Sequence, residues 1–330
     1  MIDMHALSKY RAPLMGVAIT LIMLFHSGIV LKDDVIFQIF RNGDIGVDMF
    51  AVLSAIGVFY SLQKNPSSIQ FYKRRFFRIV PTYLLIAVPF ALFRHYMYGA
   101  SWGHVLALSL GLSTFRGDVT YWFVTYICIC YFLSPFLIQL KRKIKIRFLL
   151  TVISIVFSVL LQMALKNRVS NCDLWILHFP VFVLGIDIAD GVLKEDRIKN
   201  QPPGYKNVWS AFSLLCLVVC IMSIVWLITL HGTVYIKSFC YLASVIPLML
   251  ALSCVIEAIS ALLPVLQFLG TITLELYLLH EWICLRIVVP LGVNNWILTM
   301  LGILLAVLIA AVISKVLKFV RWLCVGNIPN

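Results

Sequence analysis

Residues 71–97 read FYKRRFFRIVPTYLLIAVPFALFRHYM, in which Lys73, Arg74, Arg75 and Arg78 stand just before a stretch that carries no charge until Arg94. A hydrocarbon core about 30 Å thick takes roughly twenty helical residues to cross, so this run reads as a membrane span with a basic inner flank. The same reading extends in both directions. The 330-residue chain is 62% hydrophobic, only 12% of it is charged, and its mean hydropathy is +0.99, far outside the composition of a soluble globular domain.

Ten stretches fit a span: 12–31, 45–63, 79–97, 120–139, 147–165, 174–193, 208–230, 238–256, 265–288 and 296–320. They are too long and too uniformly apolar for the alternation of a membrane β-barrel. The expected fold is all-α, a polytopic transmembrane helical bundle of about ten spans with both termini cytoplasmic. One domain covers 1–330, since no repeat or linker interrupts it. With the N-terminus inside, 19 of the 27 basic residues fall in cytoplasmic segments, the bias that membrane orientation requires. The first stretch follows Lys9 and Arg11 but lacks a small-residue cleavage site, so it reads as a retained helix. Residues 98–119 are apolar yet too short to cross, and are expected to lie along the outer surface or to re-enter there.

The net charge of +13 does not imply nucleic acid, because the basic residues form short clusters between spans rather than one continuous face. The nine cysteines include no CxxC pair and read as small buried hydrophobes; no metal is expected.

Ionisable residues inside spans single out the chemistry. His26 lies about five residues before the outer end of span one, roughly 7–8 Å below the boundary at 1.5 Å per residue. A histidine there serves either as a neutral hydrogen-bonding core residue or as a proton acceptor near neutral pH. Asp48, His178 and His280, with Glu281, fall at similar depth in spans two, six and nine. Asp48 is expected to orient the His26 ring, as a carboxylate does in acyl-transfer sites; a structural polar cluster is the alternative. Arg74, Arg75 and Arg78 share helix faces at spacings of three and four and suit phosphate, although a basic loop that binds anionic lipid would look the same. Arg11 precedes His26 by fifteen residues, about 22 Å of helix. If both act, they serve opposite ends of one long ligand. Glu275 sits mid-span and needs a donor or a proton. Trp122, His178, Glu275 and His280 are the candidates for lining an acceptor pocket.

Five segments in order, SKYRAPLMGVAITLIMLFH, GDIGVDMFAVLSAIGVFY, FYKRRFFRIVPTY, YWFVTYICICYFLSPFL and LGTITLELYLLH, resemble the family-3 integral-membrane acyltransferases over residues 8 to 285. That resemblance implies transfer of an acyl group, most often acetyl, from cytoplasmic acyl-CoA to a hydroxyl of a bacterial cell-envelope glycan or lipid-linked sugar. It also implies a multi-pass protein of the bacterial cytoplasmic membrane, surrounded by its lipids and working with glycan-biosynthesis proteins. By the same likeness His26 matches the family's essential histidine, and Arg74, Arg75 and Arg78 match its arginine motif, which would hold the donor. The chain departs from the pattern at Met15, where the family commonly has a basic residue; Arg11 lies one turn earlier. A fused hydrolase-like domain of the kind some members carry is not expected. The competing class is a proton-coupled transporter or lipid-linked glycan flippase, in which His26, Asp48, Glu275 and His280 would form the path.

Overall fold

The computed structural model describes residues 5–28, 42–198, 218, 234–283 and 296–325, and among these the chain is helical without a strand. A short α1 (His5–Lys9) leads into α2 (Arg11–Gly28), followed by α3 (Ile45–Lys64), α4 (Ser68–Tyr98), α5 (Trp102–Ser109), α6 (Trp122–Lys143) and α7 (Leu149–Leu165). Then come α8 (Asp173–Ile176), α9 (Phe179–Ile198), α10 (Val234–Ala258), α11 (Leu263–Thr271), α12 (Thr273–Glu281) and α13 (Trp296–Val325). Among the described residues, six spans are long and apolar enough to cross a membrane: α3, α4, α6, α8 joined to α9, α10 and α13. The pair α11 and α12 makes a seventh if counted as one bent span, while α2 and α7 are apolar but shorter. Apart from Val218, the expected span over 208–230 lies outside the described residues.

The bundle is built around α3, which is apolar on all sides and buried from Ile45 through Ile56 without interruption. Because lipid is as apolar as leucine, helices in a bilayer gain little from hydrophobic burial against each other and rely on close backbone approach. Small residues supply that approach. A Cβ on Gly16 would come within 2.1 Å of the Leu266 carbonyl oxygen, and one on Gly270 within 2.0 Å of the Ala12 oxygen, so α2 and α11 touch backbone to backbone. Gly46 packs likewise on Ala18 and joins α3 to α2, while Gly185 packs on Val52 and Ala55 and joins α9 to α3. At the rim, α13 buries Ala306 and Ala310 and exposes Leu301, Leu304, Leu305, Leu308 and Val312, a lipid-facing stripe at helical spacing.

Three expectations are corrected. Span nine is not one helix: α11 and α12 meet at 74°, broken at Ile272, whose φ of −116° and ψ of 19° leave the helix between Thr271 and Thr273. Three successive β-branched residues after Gly270, itself pinned on Ala12, favour that break. The helix of span three begins at Ser68, capped by the Ser67 hydroxyl accepting from the Gln70 amide, so it runs unbroken through Pro81 and carries the arginine cluster on its own first turns. Lys141, one of the 19 basic residues that the sequence assigns to cytoplasmic segments, is not a solvated topology signal. It is buried, with Nζ 2.6 Å from the Asp187 carboxylate and 3.9 Å from that of Asp190, and Asp187 also accepts from the Thr151 amide at 3.0 Å and hydroxyl at 2.6 Å. This knot ties α6, α7 and α9 together.

The segment between α4 and α6 folds back onto α4 as α5 and a 3-10 turn at Ser113–Arg116. The Tyr83 hydroxyl donates to the Leu108 carbonyl at 2.5 Å, and Arg94 meets the Asp118 carboxylate at 2.6 Å, with His104 at 3.2 Å on the same oxygen. Burial alone would raise the Asp118 carboxyl, but hydrogen bonds from Thr120 and the charge of Arg94 outweigh it and hold the group below the ordinary carboxylate range.

Candidate active site

Two groups of polar residues lie at opposite ends of α2. At its first residue, Arg11 donates from Nε to the Leu53 carbonyl at 2.9 Å, reaching α3 in the space that Gly57 leaves open. The Arg75 guanidinium lies 4.8 Å from the ring centre of Tyr131 and 5.3 Å from that of Phe71, a stacking that a planar cation favours. Arg11, Arg75 and Arg78 lie close enough for their charges to interact, and Tyr131 stands among them. Among the described residues no carboxylate pairs with Arg11 or Arg75. Like charges held this close repel one another, so the arrangement suits an anionic ligand. Arg74 turns aside and donates to the Ser61 hydroxyl at 3.4 Å.

Near the other end of α2, the half-buried His26 meets His280 of α12. Nδ1 of His26 lies 3.0 Å from His280 Nε2 and 3.0 Å from the Ile22 carbonyl, and Nδ1 of the buried His280 lies 3.0 Å from the Leu276 carbonyl. The two rings meet edge to face, centres 4.8 Å apart. The ring of His26 therefore faces the bundle rather than the lipid.

The expected pairing of Asp48 with His26 is replaced by another. Asp48, fully buried on the first turn of α3, accepts from Nδ1 of His178 at 2.6 Å, and its second oxygen has no hydrogen-bond partner among the described residues. Antiparallel packing explains the change: Gly46 lies against Ala18 and Ile22 of α2, so Asp48 is level with the residues before Ile22 and deeper than His26. Trp122 covers this pair, its ring centre 5.5 Å from that of His178, and the Tyr126 hydroxyl donates to the His178 carbonyl at 2.9 Å. An aromatic wall joins the two pairs: Phe123 beside Trp122, then Tyr277 at 5.5 Å, then His280 at 5.8 Å. Glu275 is buried on the first turn of α12, just past the break and five residues before His280.

The sequence singles out His26, Asp48, Trp122, His178, Glu275 and His280, and the structure gathers His26, His280, Asp48, Trp122 and His178, but with different partners. Sequence reasoning missed Gly57 and Tyr131, which shape the arginine site, and the acidic half of the Lys141 knot. Gly57 interrupts an otherwise apolar helix, and Asp187 and Asp190 lie inside a span; both are signals that a sequence displays.

A family model described as an acyltransferase domain, the third such family, matches residues 14–315. No curated protein and no solved structure matches the chain. The match spans nearly all of a chain rich in apolar helices that carry a histidine site and an arginine site, and the protein belongs to the family-3 acyltransferases.

Proposed function

We propose that the protein is a membrane-embedded O-acyltransferase that moves an acyl group, acetyl before others, from cytoplasmic acyl-CoA to a hydroxyl of a cell-envelope glycan or lipid-linked sugar. It works in the bacterial cytoplasmic membrane with ten spans and both termini inside. The observation that carries this reading is α2 itself, which bears Arg11 among the arginines at one end and His26 within the bundle near the other. Fifteen residues at 1.5 Å each separate them by about 22 Å, which calls for an elongated ligand with an anionic head and a reactive tail. Acyl-CoA has that form. Arg75, Arg78 and Arg11 hold its phosphates, with Arg74 at the edge, and the thioester reaches toward His26.

In the reaction His26 takes the proton of the acceptor hydroxyl as its oxygen attacks the thioester carbonyl. The carbon–sulfur bond then breaks, the leaving thiolate receives that proton, and the products are an ester and free CoA. General-base help of this kind is worth typically 10²–10⁴-fold. Asp48 acts through His178, and with Trp122 and Glu275 these residues hold the acceptor, which glycan-biosynthesis proteins supply.

The test is mass spectrometry of surface glycans from cells with the protein, without it, and with His26→Ala. A mass difference of one acyl group, absent in the latter two, is expected; full acylation with His26→Ala at normal membrane abundance defeats the assignment. The break between α11 and α12 favours a second reading, because discontinuous helices hold substrate in transporters. That reading requires flux without acyl-CoA, which proteoliposomes measure directly.

A further inference from the structure

His26 is held by a second histidine, and the contacts of the two rings fix where their protons sit. A carbonyl oxygen only accepts, so the nitrogen that faces it must carry hydrogen. His280 Nδ1 faces the Leu276 carbonyl at 3.0 Å, which puts its proton there and leaves Nε2 bare. His26 Nδ1 faces both the Ile22 carbonyl and that bare His280 Nε2, each at 3.0 Å, so it too carries hydrogen and shares it between them. For two neutral rings this is the only assignment that makes all three contacts hydrogen bonds. It leaves the lone pair of His26 on Nε2.

We propose that His280 is a positioning residue: it holds His26 in the tautomer that presents Nε2 as the base, and it accepts from Nδ1–H when Nε2 gains a proton in the reaction. The part usually given to a carboxylate in such sites falls here to a neutral imidazole. The local structure suits the role. His280 is buried at the end of α12, its ring braced by the Tyr277 ring and by the carbonyl one turn back, and the break at Ile272 aims α12 so that this end meets α2. A straight span nine would carry His280 elsewhere.

The proposal rests on the reading of His26 as the base, and one of its two tests does not. In the first, the full chain labelled with ¹⁵N-histidine is placed in lipid bilayers for solid-state NMR, with His26→Gln and His280→Gln variants to assign the rings. The expected spectrum gives His26 a protonated Nδ1, a bare Nε2 and a through-space correlation from Nδ1 to His280 Nε2. A proton on His26 Nε2, or no correlation, overturns the inference whether or not the chain transfers acyl groups.

In the second, membranes holding each variant receive acetyl-CoA labelled in the acetyl group, and the rate of label transfer is followed. His280→Leu fills the ring's volume but cannot accept; it is expected to lower kcat on the order of 10- to 100-fold, the scale for loss of a histidine's orienting partner, with the acetyl-CoA KM little changed. His280→Gln, whose amide oxygen reaches the place of Nε2, is expected to recover most of that loss. Equal rates for the leucine and glutamine variants mean a packing role only and overturn the proposal. Undiminished transfer by His26→Ala defeats the base reading instead, while the tautomer found by NMR stands.

Discussion

A Cβ on Gly57 would stand 2.4 Å from a terminal nitrogen of Arg11. The absent side chain is the room in which the guanidinium lies, and through it α3 sets the position of one of the three arginines. Gly57→Ala displaces only the far end of a flexible side chain, so the fold should hold. The acetyl-CoA KM should rise about tenfold, equal to ~1.4 kcal/mol and near the lower end for one hydrogen bond to a charged group, with kcat unchanged at saturating donor. Arg11→Ala should raise it at least as far. If labelled acetyl transfer shows the same KM in both variants and the parent, Arg11 has no part in donor binding.

Removing Lys141 takes away the cation nearest to the buried Asp187. Lys141→Met leaves Asp187 and Asp190 buried near an apolar side chain, which is expected to cost about 3–5 kcal/mol, whereas Lys141→Met combined with Asp187→Leu removes both charges and should regain part of that. Thermal unfolding in detergent reads both. A single variant as stable as the parent would mean that the knot contributes nothing to holding α6 on α9.

How much of this was visible in the sequence follows the kind of information each feature needs. Span positions need only hydropathy, and among the described residues six helices long and apolar enough to cross lie at expected spans, while span nine is bent and α2 and α7 are shorter. The polar residues were visible because an ionisable group in an apolar run stands out, as His26 and Asp48 do. Their partners were not. Depth counted from span ends placed Asp48 beside His26, but the packing of Gly46 on α2 sets the vertical offset between the helices, and that contact is tertiary. The break at Ile272 was hidden for a related reason: LGTITLELYLLH is uniformly apolar enough to read as continuous, and the bend appears only once Gly270 is fixed on Ala12. Lys141 was read by the inside-positive rule, which counts charges and cannot tell a solvated lysine from one that neutralises buried acids.

The segment between α4 and α6 should respond to pH through Asp118. Its carboxyl is held below the ordinary carboxylate range in the folded protein, so its contribution is complete above about pH 4, the unfolded value, and is lost as pH falls through the lower folded value. Asp118→Asn removes the charge that pairs with Arg94 and accepts near His104. The difference in unfolding midpoint between parent and Asp118→Asn should therefore be constant at neutral pH and shrink in the acid range. A difference that stays the same down to about pH 3 would show that Asp118 does not titrate with folding.

The partner of Asp48 is open to a thermodynamic test that needs no further structure. Side chains in contact couple when both are changed, whereas separated ones add. Acetyl transfer is measured for Asp48→Asn, His178→Gln, His26→Gln and the two doubles that contain Asp48→Asn, all in variants that retain measurable rates. The 2.6 Å contact between Asp48 and His178 predicts a coupling of roughly 0.5–3 kcal/mol for that pair. The Asp48 and His26 changes should be additive to within about 0.5 kcal/mol, unless loss of either halts the reaction altogether. Strong coupling of Asp48 to His26 with none to His178 would restore the carboxylate–imidazole pair that depth along the spans suggests. It would also require the two rings near α2 to rearrange when substrate enters, since His280 now fills the place where that carboxylate would bind.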